Sequence, residues 1–120
     1  MSNTLFERLG GTAGIDRIVE DAIAGHLANP IIQTRFENAK DIDRAKRMAK
    51  AFFAYGSGGA STYSGKDMVA AHKGMNISEQ EFLAATDDIL VALDKNSVDA
   101  GARQEVLAIL YSLKGMIIRV

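Results

Sequence analysis

The sequence predicts an all-α protein, and three observations carry that reading. Pro30 is the only proline, so little interrupts a helix. Apolar residues recur three and four positions apart in segment after segment, the spacing of one helical face. Runs that alternate apolar with polar residues and are rich in β-branched side chains, the mark of strands, are absent. The 120 residues suit a single domain, 1–120, and 48% hydrophobic residues are enough for one core.

Residues 4–9 read as a short helix that Gly10 and Gly11 end. Thr12 is placed to cap a second helix. Its stripe is Ile15, Ile18, Val19, Ala22, Ile23 and Leu27, with His26 on the same face. Asn29 and Pro30 close this helix and open a short third one, with Asn29 as cap and Pro30 in the first helical position. That piece carries Ile31, Ile32 and Phe36. Asp41 or Asp43 starts the next helix. Ile42, Ala45, Met48, Ala49, Phe52 and Phe53 form its apolar face, opposite Arg44, Lys46, Arg47 and Lys50.

Gly56, Ser57, Gly58 and Gly59 break that helix, and 56–64 read as a long, loosely structured connection. Ser64 and Asp67 form a weak capping pair for a short helix that puts Met68, Ala71, His72 and Met75 on one face and ends at Gly74. Ser78 and Glu81 make a full capping box, Ser-x-x-Glu. The helix behind them turns Phe82, Thr86, Ile89, Leu90 and Leu93 inward. Asn96 and Ser97 form a turn, and a last helix from about Asp99 carries Val106, Leu110, Leu113 and Ile117.

Composition excludes several kinds of chemistry. The chain has no cysteine, which removes disulfides, thiolate zinc sites, iron–sulfur clusters, cysteine nucleophiles and thiolate haem ligation. With only two histidines, a metal site built from protein alone would need carboxylates as well. The net charge of −1, with acids and bases interspersed, argues against nucleic acid as a partner. No apolar run reaches signal-peptide or membrane-span length, so a cytoplasmic protein away from membranes is the expectation. Gly65-Lys66 is followed by Asp67, which does not complete a phosphate loop, and no Gly-x-Ser-x-Gly elbow or His-Glu-x-x-His is present.

His72 is the residue on which chemistry can rest. It falls on an apolar face near the end of a short helix, between Met68 and Met75. By residue type alone it is either a satisfied core or boundary histidine or a ligand, and the helix end favours its protonated form for purely structural reasons.

The segment Ala70-Ala71-His72-Lys73-Gly74, preceded by Gly58-Gly59 and Tyr63-x-Gly65, resembles the truncated haemoglobins of the first group. Leu5-Phe6-Glu7-Arg8-Leu9-Gly10-Gly11 resembles that family's N-terminal glycine motif. Asn29-Pro30 with Phe36, and Ile77-Ser78-x-x-Glu81-Phe82, resemble its short helix and the start of its next-to-last long helix. The resemblance covers essentially the whole chain in order. It implies a two-on-two helical sandwich around haem b, with His72 as the axial iron ligand. Phe36, Phe52, Tyr63, Met68, Met75, Ile77 and Phe82 would be pocket walls, and Arg44 or Arg47 a partner for the propionates. Each wall residue is equally compatible with ordinary core, and each arginine with a solvated charge. The implied partner is a diatomic gas: oxygen, nitric oxide or carbon monoxide. Haem-based turnover of nitric oxide or peroxide, and a reductase that donates electrons, stay open, as does the oligomeric state.

The chain departs from its family on the other side of the iron. The family's tyrosine on the second helix is replaced by Ile23, and its polar residue above the iron maps to Ala45, Met48 and Ala49. The expected distal pocket is therefore apolar. A hydrogen bond to a partly charged group contributes about 1.5–3 kcal/mol. Its loss would weaken oxygen retention roughly 10- to 100-fold. Met48 is either a flexible pocket filler or a second axial ligand, a pair that would resemble an electron-transfer cytochrome. His26 is either a boundary histidine bonded to its surroundings or a polar group that reaches the ligand.

Overall fold

The computed structural model describes residues 4–37, 41–60, 70 and 72–119. Six helices follow one another: α1 (Leu5–Arg8), α2 (Gly11–Ala28), α3 (Gln33–Glu37), α4 (Ile42–Gly56), α5 (Glu79–Lys95) and α6 (Ala100–Ser112), with a closing 3₁₀ turn at Lys114–Met116. Among the described residues there is no strand, only an isolated parallel bridge between Ile77 and Ile118. No described helix is long and apolar enough to cross a membrane.

The long helices α2 and α5 pack on each other most extensively, and α4 lies against α2. Ile15, Ile18 and Val19 of α2 and Leu93 of α5 are fully buried at this contact. Leu9, Ala22, Ile23, Ala92 and Val106 complete the core. Burying each large aliphatic side chain stabilises the fold by about 1.5–3 kcal/mol. At Gly25 α2 comes close to α5: a Cβ there would stand 3.4 Å from the Asp88 Cβ, in ordinary contact.

The helix ends follow capping chemistry. Thr4 and Glu7 cap α1 reciprocally, Asp41 caps α4, Ser78 and Glu81 box α5, and Asp99 caps α6. Two starts differ from the sequence expectation. Helix α2 begins at Gly11 rather than after Thr12, because Gly10 takes the left-handed conformation (φ 96°) and needs no side-chain cap. Helix α3 begins at Gln33. Asn29 organises the preceding turn instead, accepting from the Ile31 amide through its side chain and from the Ile32 and Gln33 amides through its carbonyl.

The break after α4 is a tight turn in its described part. The Ser57 hydroxyl donates to the Phe53 carbonyl at 2.6 Å, and the Ser57 amide donates to the same oxygen. The expected Ser64–Asp67 cap, and Tyr63, Met68 and Ala71, lie outside the described residues. Ion pairs tie the outer faces together. Glu20 of α2 meets Lys46 and Lys50 of α4, and Arg8 meets Asp99 and Glu105 of the α6 region. At such exposure solvent screening makes each a minor contribution.

Candidate functional site

Between these helices lies one cavity of about 420 Å³, within the range of small-molecule and cofactor sites. Helix α4 supplies one wall through Ala45, Met48, Ala49, Phe52 and Phe53. Helix α5 supplies another through Phe82, Ala85, Thr86 and Ile89. Ile32 and Phe36, before and in α3, and His26 of α2 close one end. His72, Met75 and Ile77 enter from the segment ahead of α5, and Leu110, Leu113 and Ile117 from the C-terminal region.

Most of the residues singled out in the sequence therefore meet. Phe36, Ala45, Met48, Ala49, Phe52, Met75, Ile77, Phe82, His26 and His72 all face this one space. Three do not. Ile23 is buried in the core between α2 and its neighbours, 6% exposed, and does not line the cavity. Arg44 and Arg47 are exposed on α4 and are likewise absent from the lining. Tyr63 and Met68 fall outside the described residues.

The polar groups on the cavity wall are mostly engaged with one another. The Thr86 hydroxyl donates to the Phe82 carbonyl at 2.9 Å. Arg35 grips Glu81 with two hydrogen bonds, Nε to Oε2 at 2.7 Å and Nη2 to Oε1 at 3.1 Å. Its third donor, Nη1, reaches the Met75 carbonyl at 2.8 Å. The Met75 amide in turn donates to the His72 carbonyl at 3.0 Å. A strut thus runs from the start of α5 through Arg35 to the turn that carries His72. The Arg35 guanidinium holds the Glu81 carboxyl below its ordinary range, against the opposing effect of burial.

His26 is 5% exposed and stacks on Phe36, ring centroids 4.8 Å apart. Its Nδ1 lies 2.9 Å from Asp88 Oδ2, and the Asn29 amide donates to both Asp88 oxygens at 3.3 and 3.1 Å. Neither Asp88 nor Arg35 was legible as a site residue in the sequence. Each occupies a polar helical position that reads as solvated, and only the packing of distant elements brings Arg35 to the cavity wall and Asp88 to His26.

The cavity fits a haem. It is long-walled, apolar and aromatic, as a flat hydrophobic disc requires, and it presents a histidine, the commonest protein ligand of haem iron in globins. Among the described residues no group of three or more His, Asp or Glu side chains is placed to hold a bare metal ion.

Comparisons with known proteins agree with this geometry. Residues 4–119 match the family described as bacterial-like globin. The group 1 truncated hemoglobin GlbN of Synechocystis sp. is 34% identical over 113 residues, 89% of each chain. The crystal structure of the truncated hemoglobin from Tetrahymena pyriformis, Fe(III) form, superposes with a TM-score of 0.92 at 25% identity, covering 98% of this chain and 100% of that one. The 2/2 hemoglobin from Synechococcus sp. PCC 7002, solved in the cyanomet state with covalently attached heme, gives 0.86 at 28% identity over 93% and 94%. Family match, overall identity and superposed fold coincide over nearly the whole length, and the chain belongs to the bacterial-like globins as a group 1 truncated haemoglobin.

Proposed function

We propose that this globin holds haem b in the 420 Å³ cavity with His72 as axial ligand, and binds a diatomic gas on the opposite, apolar side. The observation that carries this reading is the presence of His72 on an otherwise almost wholly hydrophobic cavity wall. When bound, the haem supplies an iron with an open position for oxygen, nitric oxide or carbon monoxide.

The chain's own residues then do three things. Phe36, Phe52, Met75, Ile77 and Phe82 exclude water and hold the disc by apolar contact. The Arg35 strut fixes the backbone on both sides of Met75, and so orients the turn from which His72 projects. Ala45, Met48 and Ala49 of α4 line the gas side without a strong hydrogen-bond donor, and Ile23 stays in the core. Gas retention through a donor on α4 is therefore not available to this protein. Arg44, exposed beside this wall, is the candidate partner of a propionate.

The test is an absorption spectrum of haem-reconstituted protein, ferric and ferrous, for wild type and His72→Ala. A saturable one-to-one complex whose spectrum is lost or altered by His72→Ala supports the reading. Absence of stoichiometric binding, or indifference to His72→Ala, overturns it.

The same spectrum addresses a second reading, which the shared placement of Met48 and His72 on one cavity favours. A low-spin ferric form without added ligand, lost in Met48→Leu, would make the protein a His72/Met48 electron-transfer haem protein.

A further inference from the structure

We propose that His26, oriented by Asp88, is the proton-accepting group of the cavity and serves small weak-acid ligands of the type H–X, such as hydrogen cyanide, hydrazoic acid or hydrogen peroxide. This rests on the reading of the cavity as a haem pocket and assigns it a second class of ligand besides the neutral gases.

The argument begins with hydrogen-bond capacity. An ionised carboxylate only accepts, so the Nδ1···Oδ2 contact of 2.9 Å puts the ring proton on Nδ1. The Asn29 amide donating to both carboxylate oxygens fits the same assignment, since it too needs an acceptor. In its neutral form such a ring leaves Nε2 as the acceptor. Stacking on Phe36 fixes the ring plane. Helix α2 and Asp88 of α5 hold it through the Nδ1···Oδ2 contact.

The other polar side chains of the wall are committed elsewhere. Thr86 donates to its own helix, and Arg35 and Glu81 satisfy each other. His72 is the residue assigned to iron. Among the described residues, Nε2 of His26 is thus the group to which a guest in this space can lose its proton.

The chemistry balances without any further reagent. The H–X bond breaks with its electron pair left on X, and the proton forms the second N–H bond of the His26 ring at Nε2. The imidazolium is compensated by the Asp88 carboxylate behind it, and its new N–H donates a hydrogen bond to X⁻. A carbon monoxide molecule has no proton to give and is indifferent to this group.

The experiment compares two probes at one pH on haem-reconstituted protein: cyanide binding to the ferric form and carbon monoxide binding to the ferrous form. In His26→Phe, which keeps a ring against Phe36, cyanide association should fall on the order of 100-fold. Carbon monoxide association should stay within about twofold of wild type, since RT ln 2 is a small fraction of the energy at stake. Equal loss of both probes, or loss of neither, overturns the proposal while leaving haem binding through His72 untouched. Failure of the haem complex to form at all is the distinct failure of the underlying reading. A second readout needs no ligand. Nitrogen-15 NMR of wild-type protein should show one of its two histidines as the Nδ1–H tautomer, and Asp88→Asn should remove or mix that signature. A wild-type His26 ring carrying its proton on Nε2 would overturn the assignment.

Discussion

The two histidines face one cavity from opposite kinds of surroundings. His26 sits within an 18-residue helix, packed by the fully buried core of α2 and α5 and anchored by a carboxylate from the facing helix. His72 sits half-buried in the segment ahead of α5, which Arg35 and a short bridge between Ile77 and Ile118 help to tie to the body. The first arrangement fixes a ring through bulk packing, so its stability is the stability of the whole domain. The second ties its segment to the body partly through polar contacts, an arrangement that lets it loosen locally while the domain stays folded. On the proposed function the contrast would give a rigid wall at His26 and a side bearing His72 with its own, lower local stability.

Substitutions on either side should separate these two behaviours. Leu93→Ala empties the centre of the α2–α5 contact and is expected to cost about 2–5 kcal/mol. Urea unfolding would read this as a lower midpoint with an unchanged slope. Haem transfer to an acceptor apoprotein should quicken only as far as global unfolding does. Arg35→Leu acts at the other region. It leaves the Glu81 carboxylate without its cation and the Met75 carbonyl without its donor, a loss of about 1–3 kcal/mol. Here haem loss should accelerate more than the smaller fall in stability accounts for. If Leu93→Ala loosens haem as strongly per unit of stability lost, the two regions are one cooperative unit and the contrast fails.

Acid makes a related, smaller test. The Glu81 carboxyl is depressed by Arg35, so its contribution to the fold is fully present above the ordinary glutamate range and is lost as pH falls through the lowered folded value. Haem loss from wild type should therefore rise as pH drops below that range. Arg35→Leu, which abolishes the cause of the depression, should flatten this part of the profile. A profile of the same steepness in both proteins would place the acid-sensitive contact elsewhere.

The same contrast explains what the sequence made legible. Helix α5 could be read from Ser78, Glu81 and the spacing of Phe82, Thr86 and Leu93, because capping and periodicity are local signals, and α2 from its apolar stripe. The start of α2 could not, since Gly10 in a left-handed conformation replaces the side-chain cap that Thr12 seemed to offer. Within the site, Phe36, Met48, Phe82 and His72 were legible because apolar periodicity and family resemblance coincide on them. Asp88 and Arg35 were not. Their partners stand 62 and 46 residues away in the chain, and a charge on a polar helical face carries no mark of a distant partner. His26 was visible as a residue on an inward stripe, but its tautomer, and hence its chemistry, depends entirely on Asp88.

The mildest way to probe the division is Ser78→Ala at the start of α5. The Ser78 hydroxyl accepts from the Glu81 amide at 3.1 Å, while the Glu81 side chain accepts from the Ser78 amide at 3.1 Å. Losing the first of these costs about 1 kcal/mol. Glu81 is shared: the carboxylate that caps α5 is the one that Arg35 grips on its way to Met75. If the cap and the strut are coupled, combining Ser78→Ala with Arg35→Leu should cost less than the sum of the two single changes, because Arg35→Leu has already released the carboxylate whose position the cap helps to set. A double-mutant cycle by urea unfolding measures this directly. Strict additivity would mean that α5 is capped independently of the turn bearing His72, and that the strut alone ties that turn to the rigid half of the molecule.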